Sequence, residues 1–341
     1  MKIGSLFSGC GGLDLGFINA GCEIKWANDF DKDACKVYSN NIGDIIHDDI
    51  QRVKEKALSK VDIITGGFPC QPFSSAGNRK GVEDHRGNLF FETLRFIKDK
   101  KPKAVVFENV RGLLSTKNST GNNLIDDIVD QLNNIDNEVG YNVSYQLLRA
   151  SDFEVPQDRY RVFIVGIRKD LKTIYKFPSP VLHNDAQKLT VGSIIKNISR
   201  TKNNEDWELS PQQKILVEYI KEGGSWKDVP YDILPERFRK IRDNIKLYRS
   251  PNFYRRFART EINGTITASA QPENCGILHP LKNRRYTIRE VARIQSFPDN
   301  FDFTLNRIEH SYKVIGNAVP PVLGKHVATS LIDQLSIKSK K

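Results

Sequence analysis

A cysteine follows a short apolar segment near residue 70, in a context that favours chemistry. The segment Val61–Ile64 has the composition of a buried strand and leads into Gly67-Phe68-Pro69-Cys70. Pro69 fixes its own φ and has no N–H, so the thiol of Cys70 is held in position. Ligands of α/β sheets bind beyond the carboxyl ends of the strands. We therefore expect Cys70 to be a nucleophile, while the alternative of a small buried hydrophobic residue stays open.

A glycine-rich turn and a nearby carboxylate could bind a nucleoside. The turn Phe7-Ser8-Gly9-Cys10-Gly11-Gly12 follows the first predicted strand, and its glycines let the backbone approach a ligand at a helix start. The dinucleotide fingerprint GxGxxG is not met, because Asp14 replaces its third glycine; a carboxylate there disfavours a pyrophosphate and tolerates a cation. After the second strand, Asp29 could accept from both ribose hydroxyls. Alternatively, the helix cap Asp31 explains this segment structurally.

Two further positions have residue types suited to recognising a base or a phosphate. Glu108 ends a predicted strand beside Phe107, which suits an acid that donates a proton to a base, although Glu-Asn is also common in turns. Arg159 and Arg161 are two residues apart, so on a strand they point to the same side and could hold a carbonyl or a phosphate. An ion pair with a neighbouring acid is the open alternative for the arginines.

The segment 237–259 interleaves cationic and aromatic residues, as phosphate contact combined with base stacking requires. Its members include Arg239, Lys240, Arg242, Lys246, Arg249, Arg255 and Arg256, with Phe238, Tyr248, Phe253, Tyr254 and Phe257 between them. The formal net charge of +11 also favours a polyanionic partner, and nucleic acid is the one we expect. The alternative is a charge that serves only solubility.

The composition is that of a soluble globular protein, with 39% hydrophobic and 27% charged residues. A length of 341 residues fits two domains, or one domain with a large insertion. No apolar run approaches the roughly 20 residues of a membrane span, and the N-terminus has no signal-peptide pattern. The five cysteines form no CxxC pair and no zinc-like cluster. We expect a cytosolic protein with reduced thiols and no metal.

Strand-like and helix-like segments alternate over the first 180 residues or so, which predicts a wound α/β sheet to position these groups. The predicted strands are Ile3–Phe7, Glu23–Asn28, Val61–Thr65, Ala104–Phe107, Tyr141–Ala150 and Arg161–Ile167. The predicted helices are Leu13–Ala20, Asp31–Ser39, Gly87–Lys100, Ile125–Leu132, Thr287–Gln295 and Val322–Leu335. The last two strands should form an antiparallel pair at the sheet edge. Thr287 and Glu290 have the spacing of a capping box.

The alternation stops after Phe177-Pro178-Ser179-Pro180, where a polar and irregular segment begins. We expect residues 1–181 to form the first domain and residues 182–280 a smaller second one. Residues 281–341 should return to the first domain, because the apolar face of the last helix needs a surface to cover it.

Taken in order, six sequence blocks resemble the motifs of the cytosine-C5 DNA methyltransferases. They are Phe7–Gly12, Gly67–Ser74, Phe107–Val110, Gln157–Arg161, Arg289-Glu290 with Gln295–Pro298, and Tyr312–Pro320. One block could arise by chance, whereas the ordered set covers nearly the whole chain outside its variable middle. The resemblance implies a Rossmann-like sheet that binds S-adenosylmethionine in residues 1–181 and an irregular target-recognition domain in residues 182–280.

The resemblance also assigns roles to residues. Cys70 would attack C6 of cytosine, Glu108 would protonate N3, and Arg159 and Arg161 would contact the base carbonyl, the phosphate and the loop carrying Cys70. S-adenosylmethionine would contact Phe7, Gly9, Gly12, Asp29, Phe30, Asp49, Ile50, Pro69, Leu89, Asn317 and Val319. The family commonly has Glu-Trp where this chain has Asp29-Phe30, a change that could loosen cofactor binding modestly.

Double-stranded DNA would be the substrate and partner, with contacts at Ser74, Arg79, Lys80, Arg255, Arg256 and Thr265. The target base would swing out of the duplex at a cost of a few kcal/mol, roughly. The basic, glycine-containing segment 71–86 would be a mobile loop that closes over it. The element Thr265-Ile266-Thr267 resembles the family's short recognition element. The implied context is a monomer in the bacterial cytoplasm, associated with the nucleoid and with a restriction endonuclease for the same site.

Three other functions share parts of this sequence pattern. A tRNA cytosine methyltransferase would share these motifs, but its usual Cys-Phe-Thr element is absent from the middle segment, which is also more basic than expected for that class. A catalytically silent regulator that binds DNA and cofactor is disfavoured by the intact Cys70 and Glu108. A nicotinamide oxidoreductase is disfavoured by the broken glycine fingerprint and the basic middle segment.

Overall fold

The structure is a computed structural model that describes residues 1–68, 89–118, 121–135, 140–198, 201–244 and 252–336. These residues fall into two compact units. Unit 1 consists of Met1–Arg149, Tyr160–Pro180 and Leu323–Lys341, and unit 2 of Ala150–Arg159 and Val181–Val322. Several predicted site residues lie outside the described residues, together with the predicted loop 71–86: Pro69, Cys70, Ser74, Arg79 and Lys80.

Seven strands of the described chain form one sheet in unit 1. They are β1 (Lys2–Leu6), β2 (Glu23–Asp29), β3 (Ile46–His47), β4 (Ile63–Gly66), β5 (Ala104–Val110), β6 (Tyr141–Arg149) and β8 (Tyr160–Arg168), since β7 (Gln157–Asp158) belongs to unit 2. The order is β3-β2-β1-β4-β5-β8-β6, with β8 antiparallel to both of its neighbours and the other pairs parallel. The predicted α/β fold and the predicted antiparallel pair at the sheet edge are both confirmed.

Helices pack on this sheet through their apolar faces. They are α1 (Gly12–Asn19), α2 (Lys32–Asn41), α3 (Leu89–Lys100), α4 (Leu124–Asn133) and, from Leu323 onward, α10 (Pro321–Ser336). The core joins β4 and β5 to α3, because Phe68 lies 5.2 Å from Phe90 and 5.7 Å from Phe107 between ring centroids. Aromatic packing therefore fixes the chain directly after β4.

Helix α10 is covered within unit 1, as its sequence pattern predicts. A Cβ built on Gly324 would meet Leu13 of α1 at 3.4 Å. The hydroxyl of Tyr175 donates to the carbonyl of Val327 at 3.1 Å. The last described helix is thus a part of the first unit's core.

Unit 2 has short elements around its own core. Strand β7 pairs in parallel with β9 (Asn263–Gly264), and the helices are α5 (Val191–Ile194), α6 (Pro211–Tyr219), α7 (Glu236–Asp243), α8 (Ile288–Ile294) and α9 (Ile308–Asn317). Trp226 is buried against Phe253, with ring centroids 5.6 Å apart, and Phe238 lies 4.9 Å from Phe253. These aromatic side chains therefore stabilise unit 2, where the sequence had suggested base stacking.

The two units divide the chain at other residues than the predicted domains. Unit 2 includes 150–159 and extends to Val322, and the return to unit 1 begins only at Leu323. Part of the reason is the guanidinium of Arg289, which donates to the carbonyls of Lys202 and Phe301 and so ties α8 to the start of the middle segment. The functions expected of the three predicted regions remain predictions.

No helix in the described ranges combines the length and apolar character that crossing a bilayer requires. Within the same ranges, no group of three or more His, Cys, Asp or Glu side chains is arranged to hold a metal ion.

Candidate active site

The register of the parallel strands brings predicted site residues to one edge of the sheet of unit 1. Leu6 of β1 is level with Asn28 of β2 and with Gly66 of β4, and Gly66 is level with Phe107 of β5. The residues that follow these positions are Phe7, Asp29, Gly67 and Glu108. All four therefore lie at the carboxyl edge, where ligands of such sheets bind.

Glu108 is buried beside the backbone that leads to Cys70. A Cβ built on Gly67 would lie 3.5 Å from Oε2 of Glu108. On the other side, Nε of Arg161 lies 2.6 Å from Oε1 of Glu108, and each of the two side chains is about one-tenth exposed, at 12% and 11%. The salt bridge fixes the carboxyl group with one oxygen toward Arg161 and the other toward the end of β4.

Asn109 holds the chain just before the predicted nucleophile. Its side-chain amide donates to the carbonyl of Phe68 at 3.0 Å, and its own side-chain oxygen accepts from the N–H of Val110. Phe68 is two residues before Cys70. The acid Glu108 and the approach to Cys70 are thus fixed by consecutive residues at the end of β5.

The nucleoside site has a carboxylate with free accepting capacity and an open glycine. Asp29 accepts from the N–H of Gly9 through Oδ2 and from the N–H of Asp31 through Oδ1, both at 2.8 Å. Each carboxylate oxygen can accept a further bond, so two ribose hydroxyls can be accommodated. A Cβ on Gly9 would meet nothing within 4 Å. Burial raises the pKa of Asp29 above its usual value.

An aromatic face and a turn complete this site. Phe30 is 69% exposed, unusual for a large apolar side chain, and so presents a surface for stacking. Beside it, the side-chain amide of Asn28 donates to the carbonyls of Ile46 and Asp48 at 2.9 Å, which fixes the turn carrying Asp49 and Ile50. Asp49 is exposed and Ile50 is buried. These features fit an adenosine moiety.

The glycine-rich turn adopts a conformation that the sequence anticipated. Gly11, at the N-cap of α1, has φ +87°, and a Cβ there would lie 2.1 Å from Cδ1 of Ile42. Gly12 is the first residue of α1 and is buried, while Phe7 is partly exposed with φ +52°. A side chain at position 11 would therefore displace the turn.

Asp14 does not face a ligand, contrary to what its place in the glycine pattern suggested. Its carboxylate is buried and accepts from Ser5 and Tyr38, both at 2.8 Å, and weakly from Thr65 at 3.5 Å. Its carboxyl group therefore links β1, β4 and α2 at the base of the turn.

Arg159 holds segments of unit 2 together. It is fully buried, and its guanidinium donates to the carbonyls of Ile266 at 2.9 Å, Gly316 at 2.8 Å and Ala318 at 3.1 Å. It also precedes β8, so the prediction that Arg159 and Arg161 point to the same side of one strand does not apply. The expected contact of Arg159 with a base or phosphate is thus replaced by a scaffold role.

The same contacts bring together other predicted residues. The hydroxyl of Thr265 donates to the carbonyl of Asp158 at 2.6 Å, so Thr265 is engaged within unit 2. Asn317 ends α9 as an exposed residue, and Val319 is buried two positions later. Arg159 thereby links the recognition-like element to the segment carrying Asn317 and Val319. Leu89, partly exposed, begins α3 in unit 1.

Arg255 and Arg256 serve unit 2 rather than an external anion. Arg256 is only 2% exposed, and its two terminal nitrogens donate to three backbone carbonyls and to Asn283. Arg255 forms a salt bridge with Glu261 at 2.5 Å and donates to the carbonyl of Gly224. This geometry contradicts a phosphate contact for Arg256 and disfavours one for Arg255. Spacing in the sequence could not reveal that these cations point inward.

The described cysteines are buried thiols. They are Cys10, Cys22, Cys35 and Cys275. Burial raises the pKa of Cys10 and of Cys35 to about 12, which keeps both protonated at neutral pH. They are poor nucleophiles, which supports the choice of Cys70 from the sequence.

Two residues that hold the backbone near the predicted motifs were not singled out from the sequence. Asn109 was read only as a part of a motif, although an amide after a strand-terminal acid is a signal for fixing a neighbouring strand end. Gln157 is fully buried, accepts from the N–H of Ile266 and donates to Gln295 at 2.6 Å. A neutral amide such as Gln157 gives a weaker sequence signal than the charged Arg159 two positions later.

The whole chain is similar to known proteins. The family model for C-5 cytosine-specific DNA methylase matches residues 1–333. The type II methyltransferase M.NgoFVII of Neisseria gonorrhoeae is 40% identical over 350 residues, which span 100% of this chain and 88% of that protein. The type II methyltransferase M.FnuDI of Fusobacterium nucleatum is 35% identical over 372 residues, which span 100% of this chain and 98% of that protein.

Among solved structures, Spodoptera frugiperda DNMT2, as a triple mutant, superposes with a TM-score of 0.61 at 21% identity and covers 98% of this chain and 99% of its own. The Dnmt2 methyltransferase of S. pombe has a TM-score of 0.59 at 19% identity, with 100% of both chains covered. At these identities the likeness concerns the fold.

Proposed function

The chain belongs to the C-5 cytosine-specific DNA methylase family, and from this membership we propose that it methylates a flipped-out cytosine through a covalent bond between Cys70 and C6. It is a DNA cytosine-5-methyltransferase, and its methyl donor is S-adenosylmethionine. What goes beyond this family activity is the covalent route, the flipping of the base, and the residues that carry each step.

The observation that supports the route best is the pairing of Glu108 with the end of β4. Its carboxyl group lies between Arg161 and Gly67, and Asn109 holds Phe68 two residues before Cys70. We propose that a base whose C6 meets the Cys70 thiolate presents its N3 edge to Glu108 at the end of β5. Glu108 could then donate a proton to the same cytosine ring that Cys70 attacks, in the same step.

The chemistry accounts for these residue types. C5 of cytosine is a weak nucleophile, so the Cys70 thiolate first adds to C6 while Glu108 gives a proton to N3, which leaves an enamine with a nucleophilic C5. When bound, S-adenosylmethionine supplies a methyl group activated by its sulfonium. After C5 is methylated, it loses its proton to a base, the Cys70 thiolate departs, and Glu108 recovers the proton from N3. A thiolate suits both steps because it attacks well and leaves readily.

The residues of unit 1 fit the methyl donor. Asp29 has accepting capacity for the ribose hydroxyls, and the exposed ring of Phe30 is the proposed stacking surface for the adenine. We propose that the exposed Asp49 and the buried Ile50 meet the adenine edge. We propose that the methionine portion lies near Gly9, where a Cβ would meet nothing within 4 Å. We propose Phe7, Gly12, Leu89, Pro69, Asn317 and Val319 as the remaining contacts on the strength of the sequence motifs.

Double-stranded DNA is the proposed substrate, and residues 182–280 are proposed to read its sequence. The net charge of +11 supports association with a polyanion. Since Arg255 and Arg256 are engaged within unit 2, the proposed phosphate contacts from the sequence stay with Ser74, Arg79 and Lys80. A monomer that acts on nucleoid DNA in a bacterial cytoplasm, beside an endonuclease for the same site, is the proposed context.

The covalent route is tested with an oligonucleotide that carries 5-fluorocytosine at the target. The target is first found by mapping 5-methylcytosine in plasmid DNA from cells that express the protein. Because fluorine at C5 cannot leave as a proton does, the adduct should persist on a denaturing gel in the presence of the donor. Absence of an adduct, despite turnover on ordinary DNA, would sink the proposal.

Two cysteine variants are the matched controls for this experiment. Cys70→Ala should form no adduct while it still binds DNA and donor. Cys22→Ala removes a buried thiol at the start of β2 and should form the adduct at the wild-type rate. Adduct formation by Cys70→Ala would assign the nucleophile to another residue.

A further inference from the structure

We infer that Arg95 is a positioning residue for the methyl donor, because its guanidinium ties the turn proposed to hold the adenine edge to helix α3. The inference rests on the proposed donor site at Asp49 and Ile50. It adds a residue that touches neither donor nor DNA and acts through the backbone of that turn.

The turn is tied to the ribose site on its first side. The N–H of Asp48 donates to the carbonyl of Asp29 at 3.2 Å, and Asn28 donates to the carbonyl of Asp48 at 2.9 Å. Within the turn, the side chain of Asp49 accepts from the N–H of Gln51 at 3.0 Å. The position of the adenine edge relative to the ribose thus depends on where this turn is held.

Arg95 holds the second side of the turn. Its Nη2 donates to the carbonyl of Ile50 at 2.8 Å, and its Nη1 donates to the carbonyl of Val53 at 3.0 Å. The two carbonyls are three residues apart, and a planar guanidinium can bond both at once with a fixed separation. A lysine ammonium at the same position could not reproduce this geometry.

The guanidinium is itself held in place from three directions. Its Nε donates to Glu92 at 2.8 Å, its Nη1 forms a salt bridge with Glu55, and its centre lies 4.8 Å from the ring centroid of Phe96. Glu92 and Phe96 belong to α3, and Glu55 follows the turn. A surface arginine that served only charge balance would not need so many fixed partners.

Helix α3, to which Arg95 ties the turn, carries a second proposed donor contact. It begins at Leu89, another proposed donor contact, and its residues Phe90 and Leu94 are buried in the same cluster as Ile50. Two proposed donor contacts, Ile50 and Leu89, therefore keep their relative position through Arg95. Its loss should loosen the adenosine portion of the site and leave the reacting groups in place.

The test compares Arg95→Lys with Arg168→Lys by isothermal titration of S-adenosylmethionine and S-adenosylhomocysteine. Arg168 is a matched control in the same unit, since it also bonds a backbone carbonyl, that of Lys101, and a carboxylate, that of Asp170. Arg95→Lys should weaken both ligands equally, by roughly five- to tenfold for two lost hydrogen bonds, because both contain adenosine. Arg168→Lys should leave both affinities within about twofold.

The kinetics separate positioning from catalysis. At saturating donor, kcat of Arg95→Lys should stay within about twofold of wild type while KM for the donor rises. Glu55→Gln keeps Arg95 but removes one of the acids that orient it, so it should weaken donor binding by a smaller factor. This second variant keeps the test valid if Arg95→Lys fails to fold.

Unchanged donor affinity in Arg95→Lys and Glu55→Gln, with only lower thermal stability as in Arg168→Lys, would overturn the inference. A fall in kcat at saturating donor without a change in affinity would overturn it as well. Failure of the proposed function would give a different result, because the wild-type protein itself would then form no adduct with 5-fluorocytosine.

Discussion

Asp14, in the first turn of helix α1, shows that a carboxyl group beside the glycine-rich turn can serve the structure. It is 1% exposed, and burial raises the pKa of its carboxyl group to about 6, partly offset by hydrogen bonds from Ser5, Tyr38 and Thr65. The folded protein therefore binds this proton more tightly than the unfolded chain does. The associated stability is present at low pH and is lost as pH rises toward 6.

Asp14→Asn should remove this part of the pH dependence. Relative to wild type, the variant should gain roughly 2 to 3 kcal/mol in free energy of unfolding between about pH 4 and pH 7.5, because the amide needs no proton to stay neutral. Urea denaturation at the two pH values measures the change, with the exposed Asp44→Asn as control. A difference from wild type that is the same at both pH values would show that Asp14 does not titrate in this range.

The sequence predicted which residue types lie near the site better than it predicted where their side chains point. Glu108, Asp29 and the glycine turn lie together because strand register follows from hydrophobic pattern, which the sequence displays. The predictions for Arg256 and Arg159 were wrong because a sequence does not show whether an arginine side chain binds backbone carbonyls or a phosphate. Only packing decides between these two uses, and packing depends on partners far away in the chain.

At the scale of elements, helix α8 begins where its sequence predicts. Thr287 accepts from the N–H of Glu290 at 3.2 Å, and Glu290 accepts from the N–H of Thr287 at 2.7 Å, the reciprocal pair of a capping box. Glu290 also accepts from Arg284 at 2.6 Å. The capping box is local and was therefore visible in the sequence, whereas the N–H groups of Ile288 and Arg289 donate to the distant carbonyls of Glu205 and Asn203 at 3.0 and 2.8 Å.

Thr287→Ala should lower the free energy of unfolding by about 1 kcal/mol, because one N–H at the start of α8 loses its acceptor. Chemical denaturation followed by the fluorescence of Trp207 and Trp226, both in unit 2, reports this loss. Thr287→Ser keeps the hydroxyl and should stay near the wild-type value. Equal losses in both variants would show that the methyl group of Thr287, rather than the cap, stabilises α8.

Elements without a local signal were the hardest to predict. The segment Asp44–Ile50 gave only a weak pattern, and β3 consists of two residues whose place is set by pairing with β2. Likewise, the middle of the chain reads as irregular, yet Ser210 caps helix α6 with a full capping box to Gln213. A short strand is stabilised by its neighbours, so its own sequence carries little information.

At the scale of the whole molecule, neither unit is one continuous stretch of the sequence. Unit 1 is built from three separate segments and unit 2 from two. The predicted division put all of residues 281–341 with the first domain, whereas Arg289 ties α8 to Asn203, 86 residues earlier in the chain. Contacts of such separation leave no periodic trace in a sequence, and so domain boundaries were less predictable than strands.

The late position of α10 has a consequence for how the protein is made. Unit 1 is complete only when Leu323–Ser336 packs against α1, so a ribosome must synthesise the chain through α10 before this unit can be complete. We expect the proposed donor site to be stable only from that point. Newborn chains would thus stay inactive until α10 has been synthesised. Ribosome-bound chains arrested before Leu323 should fail to retain radiolabelled donor, whereas chains extended past Ser336 by a linker that clears the exit tunnel should retain it; equal retention would show that α10 is dispensable.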